Sequence, residues 1–200
     1  MSNVFEFVAE SRGQSGKSAA KRARHIGNVP AVIYGGHQEP KMLMLNHNEV
    51  IKHLAHEAVY SHVLDVTVDG KTEKAILKGI QRKPAGVQIL HMDFLRVDMT
   101  ETVKVHVPLH FTNEHTGIGG KKGGIAAHSM TDVEVSCLPS ALPEYIEVSL
   151  ATLDVGETLH LSDLVLPTGV SIVVLAQGAE HNLPVVSMMA SKATKDDTAA

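Results

Sequence analysis

The stretch from Arg12 to Lys41, RGQSGKSAAKRARHIGNVPAVIYGGHQEPK, holds six Lys or Arg residues and one acid, Glu39. The whole chain of 200 residues carries a net charge of −4, so this local excess of cations is not a general property of the protein. The part PAVIYGG (Pro30 to Gly36) is an apolar run closed by two glycines, which is typical of a strand that enters a turn. We therefore predict that the positive charge lies on a folded surface and that its partner is an anion such as a phosphate backbone.

Charge is divided unevenly between the two halves of the chain. Residues 1–94 hold 12 Lys and Arg against 9 Asp and Glu, a net charge of +3, whereas residues 95–200 hold 6 against 13, a net charge of −7. A chain of 200 residues is long enough for two domains of ordinary size. We expect an anion-binding domain over residues 1–96, a second domain over residues 97–190 and a small, polar, disordered tail over residues 191–200.

The first half has the turn and cap residues of a β-rich fold with two short helices. Gly27 can end a first helix that Ser18 can cap, and Asn46 can cap a second one. Asp69-Gly70 is a strong signal for a β-hairpin. The expected helices cover residues 18–26 and 46–57, and the expected strands cover residues 4–8, 29–34, 41–45, 61–68, 71–80 and 87–96. Together these elements predict a β-barrel or sheet.

The second half shows only strand patterns. Apolar and polar residues alternate from Val103 to Phe111, as in a half-buried strand. Further strands are expected over residues 132–138, 146–150, 172–175 and 183–189. The run GIGGKKGG (Gly117 to Gly124) lacks the G-x-x-x-x-G-K-[ST] pattern of a phosphate-binding loop, so we expect a flexible turn there. The second half is therefore predicted to be an all-β domain.

The first candidate binding site is the basic helix with the loop before it. Lys17, Lys21 and Arg24 follow one another at i, i+4 and i+7, and therefore share one helix face. Arg12 lies in the preceding loop, and Arg22 flanks the shared face. Each of these cations can release counterions by contacting a phosphate. The alternative is a solvated helix face that binds nothing.

A second polar cluster combines the segment Gln81-Arg82-Lys83-Pro84 with His91 and Asp93. The glutamine can read base edges or a 2′-hydroxyl, and the arginine can hold a phosphate. Tyr34 can stack on a base, or it can be an ordinary half-buried strand tyrosine. His91 and Asp93 lie two residues apart and so face the same side of a strand. They form either a hydrogen-bonded pair or, with a third ligand, a metal site.

Several functional classes find no support in the sequence. The single cysteine, Cys137, allows no intramolecular disulfide and no four-cysteine zinc site. Motifs such as G-x-S-x-G, H-E-x-x-H and C-x-x-C are missing, so we predict no enzymatic activity, no cofactor and no metal. No segment approaches the roughly 20 apolar residues of a membrane span, and the N-terminus lacks the pattern of a signal peptide. We expect a cytoplasmic protein that is monomeric when free.

Three ordered blocks give the chain a specific resemblance. GKSAAKRARHIGNVPAVIYGG, QRKP and HMDFLRV resemble the long bacterial form of the large-subunit ribosomal protein that binds 5S rRNA, the general stress protein CTC type. CLPSALPEYIEVSL and GETLHLSDLVLP resemble the extra β domain of that form. The resemblance implies a Greek-key-like N-terminal β-barrel with two short helices and a second, all-β C-terminal domain. It also implies binding to the loop E region of 5S rRNA in the central protuberance, beside other rRNA and neighbouring ribosomal proteins.

The resemblance carries over to individual residues, with two departures. The usual Arg-Arg-Leu-Arg is Lys21-Arg22-Ala23-Arg24 here, and the usual Arg-His-Pro is Arg82-Lys83-Pro84. Both departures keep positive charge, but a lysine at position 21 cannot make the bidentate contact of an arginine. The expected RNA-binding residues are Arg12, Lys17, Lys21, Arg22, Arg24, Tyr34, Gln81, Arg82 and His91.

Two alternatives remain open at the level of the sequence. One is a stress-regulated RNA-binding factor that uses the same barrel away from the ribosome. The other is a metal-dependent hydrolase that uses His91 and Asp93.

Overall fold

The computed structural model describes residues 6–84 and 86–190. The described chain divides into two compact units, the first ending at residue 103 and including residues 138–142, the second formed by residues 104–137 and by those from 143 onward. The expected tail over residues 191–200 and the first two residues of the strand expected over 4–8 lie outside the described residues.

Six strands of the first unit form a closed barrel. They are β1 (Glu6–Ser11), β2 (Asn28–Gly35), β3 (Gln38–Asn46), β4 (Leu64–Val68), β5 (Lys71–Arg82) and β6 (Ile89–Arg96). Their order around the barrel is β1-β3-β2-β6-β5-β4, and the parallel pairing of β1 with β4 closes it. Strands β2 and β6 are also parallel, and the other neighbours are antiparallel.

Small aliphatic side chains fill most of the barrel, as the low aromatic content requires. Phe7 and Phe94 are the large exceptions, and their ring centroids lie 5.6 Å apart in the core. Residues alternate along β6 between the core and the outer surface, so that Met92 is buried whereas His91 and Asp93 face outward. This alternation places the polar residues of β6 on the outside of the barrel.

Three helices accompany the barrel: α1 (Lys17–His25), α2 (His47–Leu54) and α3 (Ala58–Ser61). Helix α1 begins one residue earlier than expected, and the prediction that Ser18 caps it is wrong. Gly16, with φ 101°, turns the chain into the helix and leaves Ser18 in the first turn. Gly27 ends the helix with φ 84°, in the left-handed conformation that the sequence predicted. The helix expected over 46–57 is α2, which ends at Leu54, and the short helix α3 that follows it was not expected.

The hairpin between β4 and β5 forms at the predicted dipeptide. Asp69 and Gly70 both have positive φ, 49° and 83°, as a type I′ turn requires. Val68 pairs with Lys71 at the end of the ladder, so the turn has two residues.

Replacing Asn46 with alanine should lower the free energy of unfolding of the barrel by about 1 kcal/mol. The Asn46 side chain accepts hydrogen bonds from the backbone N–H groups of Asn48, at 3.0 Å, and Glu49, at 3.4 Å, and so caps α2 as expected. Urea unfolding followed through the amide signals of the barrel measures the loss. Asn48→Ala removes the same side chain from the helix itself and should not destabilise the barrel; equal losses in both variants would contradict the capping role.

The second unit contains two sheets. Its strands are β7 (Val103–Thr112), β8 (Gly124–His128), β9 (Asp132–Cys137), β10 (Ile146–Ser149), β11 (Thr158–His160), β12 (Val170–Ile172) and β13 (Pro184–Ala190). One sheet has the order β10-β7-β9-β12 and the other has the order β11-β13-β8. Short 3-10 helices of this unit cover Leu161–Asp163, Leu175–Gln177 and Ala179–His181, whereas a further one, Pro139–Ala141, belongs to the first unit. The barrel and these two sheets confirm the predicted mainly β fold class.

The run GIGGKKGG is not the flexible turn that the sequence suggested. It contains a single helical turn, α4 (Ile118–Lys121), which leads into β8. A Cβ atom on Gly117 would lie 2.4 Å from the carbonyl oxygen of Leu150, and one on Gly119 would lie 2.7 Å from Cγ of Met188. These glycines therefore let backbone segments approach closely, and do not serve to keep the loop mobile.

Candidate nucleic-acid interface

The basic loop–helix (residues 12–25) presents cations that the described part of the chain does not neutralise. Lys17 and Lys21 are exposed on α1, and neither has a hydrogen-bond or ion-pair partner among the described residues. Arg22 donates from Nη2 to Oε1 of Gln14 at 3.1 Å, which fixes its guanidinium against the loop without cancelling its charge. Helix α1 has no side-chain cap and no acid in its first turn, so its N-terminus adds positive potential.

Arg12 begins the loop, directly after β1, and lines a cavity of about 300 Å³. Arg22, Ala23 and Met44 are among the other residues that line this cavity. The Nε and Nη1 atoms of Arg12 are buried and have no hydrogen-bond partner. An unpaired buried donor on a charged group is unfavourable by about 1–3 kcal/mol or more. An anionic oxygen that reaches these two atoms would therefore relieve a penalty as well as form a contact.

Two further cations of the stretch 12–41 also have partners inside the protein. Arg24 is half-buried and donates from Nη1 to the carbonyl oxygen of Leu90 at 3.2 Å, which ties α1 to β6. Lys41 lies 2.5 Å from Oε1 of Glu73, a carboxylate from β5. Lys41 therefore has an ion pair inside the barrel, in which it shares the Glu73 carboxylate with Arg96.

A polar stripe (Tyr34, Gln81, His91 and Asp93) runs along the outside of β2, β6 and β5. Gln81 stands opposite His91 in the antiparallel β5–β6 register, so the two side chains are neighbours. The Nδ1 atom of His91 lies 2.9 Å from Oδ1 of Asp93. Tyr34 lies on β2, one residue beyond the position that pairs with Phe94, and the Asp93 carboxylate acts on it electrostatically. Donors and acceptors from three strands thus share one face.

Tyr34 is held as a neutral donor on this stripe. Burial, and then the charge of Asp93, raise the pKa of its hydroxyl above the usual value of 10.0. The hydroxyl therefore remains protonated at neutral pH and can donate a hydrogen bond, while its half-buried ring keeps an accessible part for stacking.

Arg82 is the predicted site residue that the structure sets apart from the stripe. Its Nη2 donates to the hydroxyl of Tyr60, on α3. It also lines a cavity of about 210 Å³ with Ile51 and Leu54 of α2. The β5–β6 register shifts between Gln81 and Arg82, and the Arg82 side chain contacts α3 instead of the stripe.

Sequence reasoning missed two residues that contact the candidate interface. Asp93 was noted as a partner of His91, but its effect on Tyr34 depends on the parallel pairing of β2 with β6, which no local pattern reveals. Gln14 was not singled out, because only the fold of the loop brings it to Arg22.

The described residues contain no group of three or more His, Cys, Asp or Glu side chains arranged to hold a metal ion. His91 and Asp93 lie in contact with each other, with Nδ1 2.9 Å from Oδ1. Within the same residues, no helix is long and apolar enough to cross a membrane.

The comparisons with known proteins assign a family to each half of the chain. Residues 7–94 match the model of the ribosomal L25p family, and residues 102–192 match that of the ribosomal protein TL5 C-terminal domain. The large ribosomal subunit protein bL25 of Methylococcus capsulatus is 55% identical over 192 residues, which cover 96% of this chain and 95% of the relative. Those of Cellvibrio japonicus and Nitrosococcus oceani are 47% and 46% identical over the whole chain, covering 100% and 95% of the relatives. The chain therefore belongs to the bL25 family of large ribosomal subunit proteins, in the long form that carries a second β domain.

Proposed function

We propose that the protein is a structural constituent of the large ribosomal subunit and that its barrel binds 5S rRNA, at the loop E region in the central protuberance. The family consists of structural ribosomal proteins and not of enzymes, which confirms the prediction that the chain has no enzymatic activity. The proposed location is accordingly the ribosome, and the proposed partners are 5S rRNA, other rRNA of the subunit and neighbouring ribosomal proteins.

The observation that carries the proposal is a set of cations on the basic loop–helix that have no carboxylate partner. Arg12, Lys17, Lys21 and Arg22 lie within eleven positions of one another, and no acid among the described residues pairs with any of them. A phosphate backbone is the natural partner of such a set, because each contact releases counterions.

The polar stripe favours structured RNA over a simple polyanion as the binding partner. The minor groove of an RNA helix is wide and shallow and displays base edges and 2′-hydroxyls. Gln81 can both donate and accept hydrogen bonds, Tyr34 can donate, and the His91–Asp93 pair offers a fixed polar edge. We propose that the basic loop–helix holds phosphates while the stripe contacts the groove.

Arg24 and Arg82 have a mixed role in this proposal. Each uses one donor inside the barrel, Arg24 to Leu90 and Arg82 to Tyr60, and each has further donors for a phosphate. Their internal contacts also fix the positions of α1 and of the end of β5, so their removal would affect both stability and RNA binding.

Arg22→Ala is expected to weaken binding to 5S rRNA by about tenfold at physiological salt and to reduce the slope of log K against log salt by about 1. The reason is the loss of one charged phosphate contact. Equilibrium binding measured across a salt series gives both quantities.

Lys121→Ala is the control for this experiment. Lys121 is also an exposed cation, but it lies on α4 in the second unit and not on the barrel. The affinity of this variant for 5S rRNA and its salt slope should match those of the unmodified protein. If both variants lose the same affinity, the loop–helix is not the phosphate-binding surface and the residue assignment is wrong.

A further inference from the structure

The second unit has an exposed aromatic pair on the outer face of its four-stranded sheet. Tyr145 is 46% exposed, and its ring stacks on that of His110 with the centroids 4.4 Å apart and the planes 9° from parallel. Ile146 and Val148 of β10 are buried, so Tyr145 and Glu147 face outward on the same side. Glu147 stands opposite His110 in the parallel β7–β10 register.

Glu147 is a carboxylate without an internal partner. Its side chain is exposed and makes no hydrogen bond or ion pair with any residue that the structure describes. Other acids of this unit are engaged: Asp154 lies 2.5 Å from Lys122, and Asp132 lies 2.8 Å from His106. The unpaired Glu147 carboxylate therefore lies on the same face as the exposed part of the Tyr145 ring.

The charge of the unit limits what can cover this face. Residues 104–190 contain 3 Lys, no Arg and 9 Asp or Glu, a net charge of −6. Asp132 and Glu134 add negative charge to the same face, on the neighbouring strand β9. A field of this sign repels phosphate backbones and attracts cationic partners. The preferred occupant is therefore a basic polypeptide and not RNA.

We propose that the sheet face around Tyr145, His110 and Glu147 docks an arginine-bearing segment of a basic protein. A guanidinium can stack on the open face of the Tyr145 ring while it donates two hydrogen bonds to the Glu147 carboxylate. Lysine offers neither the plane nor the fork, so arginine is the better match. This surface lies in the second unit, and it adds a protein partner of defined chemistry to the RNA partner proposed for the barrel.

The test is a titration of the full chain with two short peptides that differ only in carrying three arginines or three lysines, followed by the amide signals of the protein. The arginine peptide should shift amides of β7 and β10 and should bind about fivefold more tightly than the lysine peptide. Glu147→Gln should weaken binding of the arginine peptide about five- to tenfold. The control Glu180→Gln removes the same charge from the exposed 3-10 helix at 179–181. It should change the affinity for the arginine peptide less than twofold.

Three results would overturn the proposal. Equal losses in Glu147→Gln and Glu180→Gln would mean that the peptide senses only net charge. Shifts outside β7 and β10 would place the contact elsewhere. The sheet face would instead be an RNA surface if 5S rRNA shifted the amides of β7 and β10, or if Glu147→Gln bound 5S rRNA more weakly. Because RNA affinity and peptide affinity are separate readouts, a failure here and a failure of RNA binding by the barrel can be told apart.

Discussion

Glu73→Ala is expected to lower the free energy of unfolding of the barrel by about 3–5 kcal/mol, because it leaves the charge of a buried arginine unpaired. Arg96 is 7% exposed, and its Nε lies 2.6 Å from Oε2 of Glu73. The same guanidinium donates from Nη1 to the carbonyl oxygens of Gly35 and Glu39, and so holds the β2–β3 turn against β6. Urea unfolding, followed through barrel amides, measures the loss.

The exposed pair of Lys74 and Asp65 is the matched control. Its Nζ and Oδ1 atoms are 3.2 Å apart, but the Lys74 side chain is 55% exposed, so Asp65→Ala should cost no more than about 1 kcal/mol. Equal losses at positions 65 and 73 would show that burial does not amplify the Glu73 pair, and would contradict the account of the turn.

The same carboxylate makes the stability of the barrel depend on pH. Burial would raise the pKa of Glu73, but the hydrogen bonds and charges of Lys41 and Arg96 outweigh it, and the pKa in the folded protein is lowered. Its stabilising contribution is therefore present above the unfolded-state pKa of about 4.3 and is lost as the pH falls through the lower folded value. Glu73→Gln should make this part of the acid-induced loss disappear.

Gly117→Ala is expected to destabilise the second unit by about 3 kcal/mol, at the upper end for an overpacked site. The added Cβ atom would lie 2.4 Å from the carbonyl oxygen of Leu150 and 2.9 Å from that of Asn113, and neither backbone atom can move without disturbing a strand end. Gly117 has φ −66°, which any residue adopts, so the whole effect is steric. Unfolding followed through amides of the second unit measures it.

Gly156→Ala separates this steric effect from backbone strain. Gly156 has φ +92° but nothing within 4 Å of an added Cβ atom. Gly156→Ala should therefore lower the free energy of unfolding only by the roughly 1–2 kcal/mol that a side chain costs in the left-handed conformation. A larger loss for Gly156→Ala than for Gly117→Ala would contradict the close packing of the glycine-rich segment.

Local signals in the sequence predicted the elements that local chemistry decides. The Asp69-Gly70 turn and the Asn46 cap formed as expected, because each depends on residues within a few positions. The Ser18 cap failed because the helix begins at Lys17 with Gly16 as its N-cap residue, so Ser18 lies inside the first turn. Helix α4 was missed because glycine has a low helix propensity, and tertiary packing against Leu150 and Met188 outweighs that propensity here.

Contacts between residues distant in the sequence limited how much of the candidate site could be predicted. The loop–helix was recognisable as cationic, but Lys41 finds Glu73 32 positions away and Arg24 finds Leu90 66 positions away. No local sequence pattern indicates the parallel pairing of β1 with β4, which closes the barrel. The same holds for the pairing of β2 with β6, which assembles the polar stripe. Sequence reasoning therefore identified the kinds of residue in the candidate interface but not which of them make contacts inside the fold.

The most direct test of the central claim is equilibrium binding of the full chain to 5S rRNA across a salt series, with tRNA and an unrelated stem-loop as competitors. A barrel that holds phosphates with the basic loop–helix and reads a groove with the polar stripe should bind 5S rRNA tightly in the presence of both competitors. Its log K should also fall linearly with log salt. Weak binding of equal strength to all three RNAs would contradict specific recognition and would leave the basic loop–helix as a non-specific cationic surface.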